Sequence, residues 1–181
     1  MGPLPRPDRI VRELRALDAA SRSEPDEPDE RALRRRMLDV LANAVPHDFY
    51  AFVLTDPQST VGTSPLAEVP ELGDLPRVIR LKYLTRPGRW TTLDASGCTT
   101  LLAATDGDLG RSQQWAGALR QHGVTDVLVA VLRDRYGTWG FLDLWRSTGA
   151  FASAEVEAVA AALPTLTAAV RGVVARSFVV G

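Results

Sequence analysis

The stretch that most restricts this chain lies late in it, where Thr125 to Arg133 alternates Val127, Val129 and Val131 with Leu128, Ala130 and Leu132. A strand apolar on both faces has to be covered on both sides. Asp134-Arg135-Tyr136-Gly137 then supplies a short connection, and Thr138 to Trp145 returns as a second strand, so the covered element is half of an antiparallel hairpin. On the returning strand, alternation places Trp139, Phe141, Asp143 and Trp145 on one face and Gly140, Leu142 and Leu144 on the other. The two covering layers must come from elsewhere in the chain.

Helical periodicity supplies them. Asp8 opens a helix over 8–20 with Ile10, Val11, Leu14 and Leu17 on one stripe. Residues 21–30, SRSEPDEPDE, hold two prolines and no apolar side chain and read as a solvated acidic hinge, which divides the chain into an extension, 1–30, and a main domain, 31–181. From Asp29 a second helix carries Leu33, Met37, Val40, Leu41, Ala44 and Val45 on its stripe, with Arg34, Arg35 and Arg36 read as a solvated face. Phe49 to Thr55 reads as a strand ending in Asp56-Pro57, with a second extended piece near Val61 to Ser64. A helix over Leu75 to Leu84 has Pro76 in its first turn. Arg89 to Leu93 reads as a short strand, and Thr99 to Ala104 as strand or loop. Asp108 or Ser112 caps a helix bearing Trp115, Ala118 and Leu119, which stops at Gly123. Ser153 is expected to cap the last helix, whose stripe runs from Val156 to Val174 and which Pro164 should bend. Helices inserted between strands that are paired by short turns describe an α+β domain with an antiparallel sheet.

Composition excludes several kinds of function. The chain balances 21 basic against 22 acidic residues, so it carries no electrostatic footprint for nucleic acid. The longest stretch without a charge, Ala158 to Val170, is short of the roughly 20 residues of a membrane span, and no secretory leader opens the chain, so a cytoplasmic location away from the membrane is expected. Cys98, the single cysteine, excludes an internal disulfide. Only His47 and His122 could join a metal centre, and neither sits at ligand spacing; no phosphate-cradling glycine loop occurs, so no cofactor is expected. His122, just before Gly123, reads as a helix-end cap, and Cys98 as packing. All but one of the basic residues are arginines, which reads as a genome-composition bias.

The element order, together with PHDFYAFVLTDP (Pro46 to Pro57), RLKYLTRPGRWT (Arg80 to Thr91) and VLRDRYGTWGFLDLWR (Val131 to Arg146), resembles the GAF-type sensor domain of actinobacterial LuxR-family transcriptional regulators over about Ala32 to Arg171. The resemblance implies a GAF-like (PAS/GAF) sheet with N- and C-terminal helices on one face, often as a homodimer surface, and lid helices over a small-molecule pocket on the other. In that family a helix-turn-helix follows the sensor domain. This chain ends at Gly181 without one, so it reads either as an excised sensor or as a free-standing relative.

The leading expectation is therefore a domain that binds a small organic ligand. Candidate ligand-binding residues are Tyr83, Arg89 and Trp90 in the segment that covers the pocket in GAF folds, and Trp139, Phe141, Asp143 and Trp145 on the hairpin. A buried Asp143 requires a partner, and Arg133 or Arg146 on the same hairpin is expected to supply it. The alternative is a free-standing GAF-fold enzyme promoting a cofactor-free cyclisation or isomerisation, with Asp143, Tyr83 or His122 moving the proton.

Overall fold

The computed structural model describes residues 6–23, 29–93 and 97–177. Ten elements build it: α1 (Pro7–Ser23), α2 (Glu30–Ala44), β1 (Phe49–Thr55), β2 (Gly62–Glu68), α3 (Leu75–Leu84), β3 (Cys98–Thr100), the single turn α4 (Leu101–Ala104), β4 (Asp126–Asp134), β5 (Gly137–Arg146) and α5 (Ser153–Ser177). The strands form one antiparallel sheet in the order β2-β1-β5-β4-β3. The fold is α+β, as the element order implies.

The double alternation of β4 decides the layering. Leu128, Ala130 and Leu132 join Phe52, Leu54, Leu142 and Leu144 beneath α1, α2 and α5. Val127, Val129 and Val131 join Val53, Phe141 and Trp145 on the opposite face, beneath α3, α4, a 3-10 turn at Trp90–Thr92 and a π-helical turn at Trp115–Leu119. A fully buried carboxylate at the start of β4 ties three elements together. Asp126 Oδ1 accepts from the amides of Leu102 and Val127, and Oδ2 accepts from the amide of Phe151 ahead of α5.

Several local expectations change. The first helix runs to Ser23, and Ile10 and Leu14 are buried against the core that α5 completes, so Ser21 to Ser23 are helical instead of hinge; residues 24–28 of the acidic run lie outside the described residues. Arg34 is not on a solvated face. It is wholly buried, donates to the carbonyls of Phe52 at 2.8 Å and Ser64 at 2.9 Å, and pairs with Glu30, so it pins edge strand β2 to β1 from within α2. β2 itself runs through Pro65, which a sheet edge tolerates because its outer side needs no amide donor. Residues 90–92 form a 3-10 turn in place of a strand.

At the start of α5 it is Ala152 whose carbonyl accepts from Glu155 and Val156, while the Glu155 carboxylate accepts the Ala152 amide; Ser153 is the first helical residue. Burial alone would raise the Glu155 carboxyl, but Arg146 at 2.6 Å and the Ala152 amide outweigh it and hold it below the usual range. By length and composition α5 is apolar enough to cross a membrane, yet half of that window is buried within this domain.

Candidate functional site

The face of the sheet under the short elements carries the polar cluster. Phe141, Asp143 and Trp145 alternate along β5 onto this face, with Val129 and Ala51 directly opposite Asp143 on the two neighbouring strands. Nothing on the sheet beside Asp143 can offset its charge, so the partner has to descend from the covering layer. That partner is Lys82 of α3, the only lysine of the chain. Its Nζ lies 3.1 Å from Asp143 Oδ2, and each side chain is 1% exposed. This corrects the expected pairing with a hairpin arginine. Arg146 is engaged with Glu155 and the carbonyls of Pro46 and Ala150, and Arg133 donates to the Leu93 carbonyl.

Trp90 completes the cluster. Its Nε1 donates to Asp143 Oδ1 at 2.7 Å, its ring stacks on Phe141 at 4.5 Å and 5°, and Lys82 Nζ sits 5.4 Å from the ring centroid. Tyr83 stands edge-on to both rings at 5.7 and 6.2 Å. The Tyr83 hydroxyl donates to the Thr60 carbonyl and accepts from the Gly62 amide, which fastens α3 to the start of β2. Desolvation pushes the Tyr83 hydroxyl up; it also pushes the Lys82 ammonium down and the Asp143 carboxyl up, each against the attraction of its partner. Both members of the pair are thus displaced toward their neutral forms.

Hydrogen-bonding capacity is left over here. Among the described residues, Lys82 Nζ and Asp143 Oδ2 have no hydrogen-bond partner beyond their contact with each other, and Trp145 Nε1 has none, although all three atoms are buried. Gln114, 1% exposed at the edge of the π-helical turn, has both amide atoms in the same condition. Buried polar atoms are normally satisfied, and π-turns concentrate at functional sites.

The expected residues therefore divide. Tyr83, Trp90, Phe141, Asp143 and Trp145 come together. Trp139 does not: the β4–β5 register shifts between Leu132 and Arg133, which breaks the alternation. Trp139 consequently packs against the core of the other face and donates to Asp134 Oδ1, whose second oxygen accepts from Arg171 of α5. Arg89 donates to the carbonyls of Leu84 and Thr85 at the end of α3 and lines a cleft of about 350 Å³ with Arg86, Pro87, Gly88 and Cys98. His122 lies 3.2 Å from Asp74, ahead of α3, apart from the Tyr83 and Asp143 cluster with which an enzyme reading had grouped it. On the face where the resemblance implies a pocket, the space against Phe141 is taken by the stacked Trp90 ring. Lys82 was missed, and its signal was in the sequence as the exception to an all-arginine rule.

No protein-family model matches the chain, and no curated protein matches it. Solved structures do. The VqsR LBD domain from Pseudomonas aeruginosa superposes with a TM-score of 0.59 at 17% identity, covering 93% of this chain and 96% of that one. The N-acylhomoserine lactone dependent LuxR family transcription factor CepR2 from Burkholderia cenocepacia gives 0.54 at 16% identity, covering 94% and 99%. The chain has the fold of LuxR-type ligand-binding domains. A phycoerythrobilin-bound GAF domain from a cyanobacterial phytochrome follows at 0.49 and 14% identity, covering 96% and 97%.

Proposed function

We propose that this chain is the small-molecule sensor domain of a LuxR-type regulator, holding an organic ligand between the sheet and its short-element layer. The observation that supports this reading most directly is the set of buried, unspent polar atoms on Lys82, Asp143 and Trp145 among the rings of Tyr83, Trp90 and Phe141. Those atoms suit the polar part of a guest, and the rings suit its apolar part. Because Trp90 lies flush on Phe141, a guest enters by displacing that indole or by wedging beside it. Signal output runs to the opposite face, where α1 and α5 offer a surface for a second copy. Arg89 serves the site indirectly, by holding the loop after α3.

Two measurements test the reading. Mass spectrometry of natively purified protein is expected to reveal a co-purifying small molecule. A ligand at a hundred times its dissociation constant stabilises a fold by about 2.7 kcal/mol, which for a domain of this size raises the melting temperature by roughly 5 to 10 °C. A flat thermal response across diverse aromatic and aliphatic compounds, with nothing co-purifying, would overturn it.

A further inference from the structure

We propose that Lys82 is a covalent capture site, at which the amine condenses reversibly with the carbonyl carbon of an apolar aldehyde while Asp143 moves the proton. This rests on the ligand-binding reading above and names the chemical class of its ligand.

The choice of residue is the first argument. Where this chain needs a buried cation to hold oxygen atoms, it uses arginine, as Arg34 does beneath β2. A guanidinium stays protonated and is no nucleophile, whereas an amine can lose its proton and attack. The one position given a lysine is the one facing a buried carboxylate.

The surroundings are the second. Asp143 Oδ1 is occupied by the Trp90 indole, which fixes the carboxyl plane and leaves Oδ2, 3.1 Å from Nζ, as the oxygen able to take and return a proton. Neither Nζ nor Oδ2 is committed to any further hydrogen bond among the described residues. The Trp90 ring lies 5.4 Å from Nζ, with Tyr83 edge-on to that ring, and a desolvated lysine in such a setting is an activated nucleophile. The downward push on the Lys82 ammonium and the upward push on the Asp143 carboxyl agree with that arrangement.

The reaction balances without a co-reactant. Lys82 passes one proton to Asp143 Oδ2, and the neutral amine adds to the aldehyde carbon to give a carbinolamine. Asp143 returns the proton to the departing hydroxyl, water leaves, and a protonated imine remains paired with the Asp143 carboxylate. Water added back reverses every step.

Two clefts meet at the end of α3. One, lined by Arg86 to Arg89, and a second of about 410 Å³, lined by Leu84 to Pro87 with Arg111 and Gln113, share Arg86 and Pro87, so the loop leaving α3 stands between them, and a guest reaches Lys82 only if that loop moves. Gly88 of that loop rests near Leu101 and Val129 of the covered core.

The test is reductive trapping of the full chain with hexanal and cyanoborohydride at pH 7, read by intact mass and peptide mapping. In the folded chain the adduct is expected on Lys82, forming faster than in the chain unfolded in guanidinium, because a desolvated amine beside a proton acceptor is the better nucleophile. A merely structural lysine would be protected by burial and react more slowly when folded; that result overturns the proposal. The Asp143→Asn variant, if folded by circular dichroism, is expected to lose the acceleration, and retention of the full rate would count against Asp143 as the proton carrier. If Asp143→Asn does not fold, the folded-against-unfolded comparison on the natural sequence still decides. Hexanal that raises the melting temperature but is not trapped overturns covalent capture and leaves ligand binding standing.

Discussion

The two faces of the sheet are covered in different ways, and the difference is chemical as much as architectural. On one face lie α1, α2 and α5, helices of 15 to 25 residues whose apolar stripes close a continuous core. A buried charge there, Arg34, spends its donors on two carbonyls, a hydroxyl and Glu30. On the other face the covering elements are the ten-residue α3 and several single turns, and the buried charges are a lysine and an aspartate with bonding capacity to spare. A layer of short elements opens at less cost than one of long helices, which is where binding functions tend to reside. The helix face is closed by long helices, and the short-element face by short ones over a buried charge pair with unspent bonding capacity.

Removing one partner of the Lys82 and Asp143 pair is the most forceful way to break this contrast. Lys82→Met leaves an uncompensated buried carboxylate and is expected to cost about 3 to 5 kcal/mol. The double variant Lys82→Met/Asp143→Leu, with two apolar residues facing each other, is expected to recover most of that loss, less the cost of orphaning the Trp90 indole. Guanidinium unfolding of the three proteins measures both. A double variant no more stable than the single one would mean that the cluster is held by something other than the ion pair.

On the helix face the corresponding probe is Leu14→Ala. Leu14 is fully buried in α1, and such truncations cost about 2 to 5 kcal/mol. A cost well under 1 kcal/mol would mean that α1 is an appendage, as a division at residue 30 had treated it. Composition marks the acidic run as solvated but does not say whether the helix before it folds back, which this variant decides.

Much of the architecture was legible because it follows from periodicity: β4 announced two layers, and α3 was bounded correctly by Pro76 and its apolar stripe. What failed was whatever depends on register or on contacts far apart in sequence. The shift beside Leu132 sends Trp139 to the wrong face, and no local pattern encodes a bulge that arises only when two strands pair. The partner of Asp143 lies not on its own hairpin but far upstream, at Lys82 of α3. Arginine usually faces water, and nothing local shows that a carbonyl of β1 and one of edge strand β2 take their donor from Arg34.

Arg34 offers a smaller and more local test. Arg34→Met removes donors from the Phe52 and Ser64 carbonyls, and leaving such acceptors buried costs about 1 to 3 kcal/mol. The loss is expected to concentrate in β2, read as faster amide exchange across Gly62–Glu68 with β4 and β5 unchanged. Uniform acceleration through the sheet would show that the two faces unfold as one unit.

The slightest effect is expected where neither layer is involved. Asp48, at the entry to β1, accepts from the amide and hydroxyl of Ser147 at 2.7 Å each, and these bonds hold its carboxyl below the usual range. A carboxyl lowered by folding adds stability above its unfolded pKa, near 3.9, and that contribution disappears as pH falls through the folded value. Asp48→Asn should therefore be slightly less stable than the natural chain at pH 7, with the two curves converging as pH falls through the folded value and the natural carboxyl becomes protonated as well. Curves that stay parallel into acid would show that the Ser147 contacts act by geometry, not by charge.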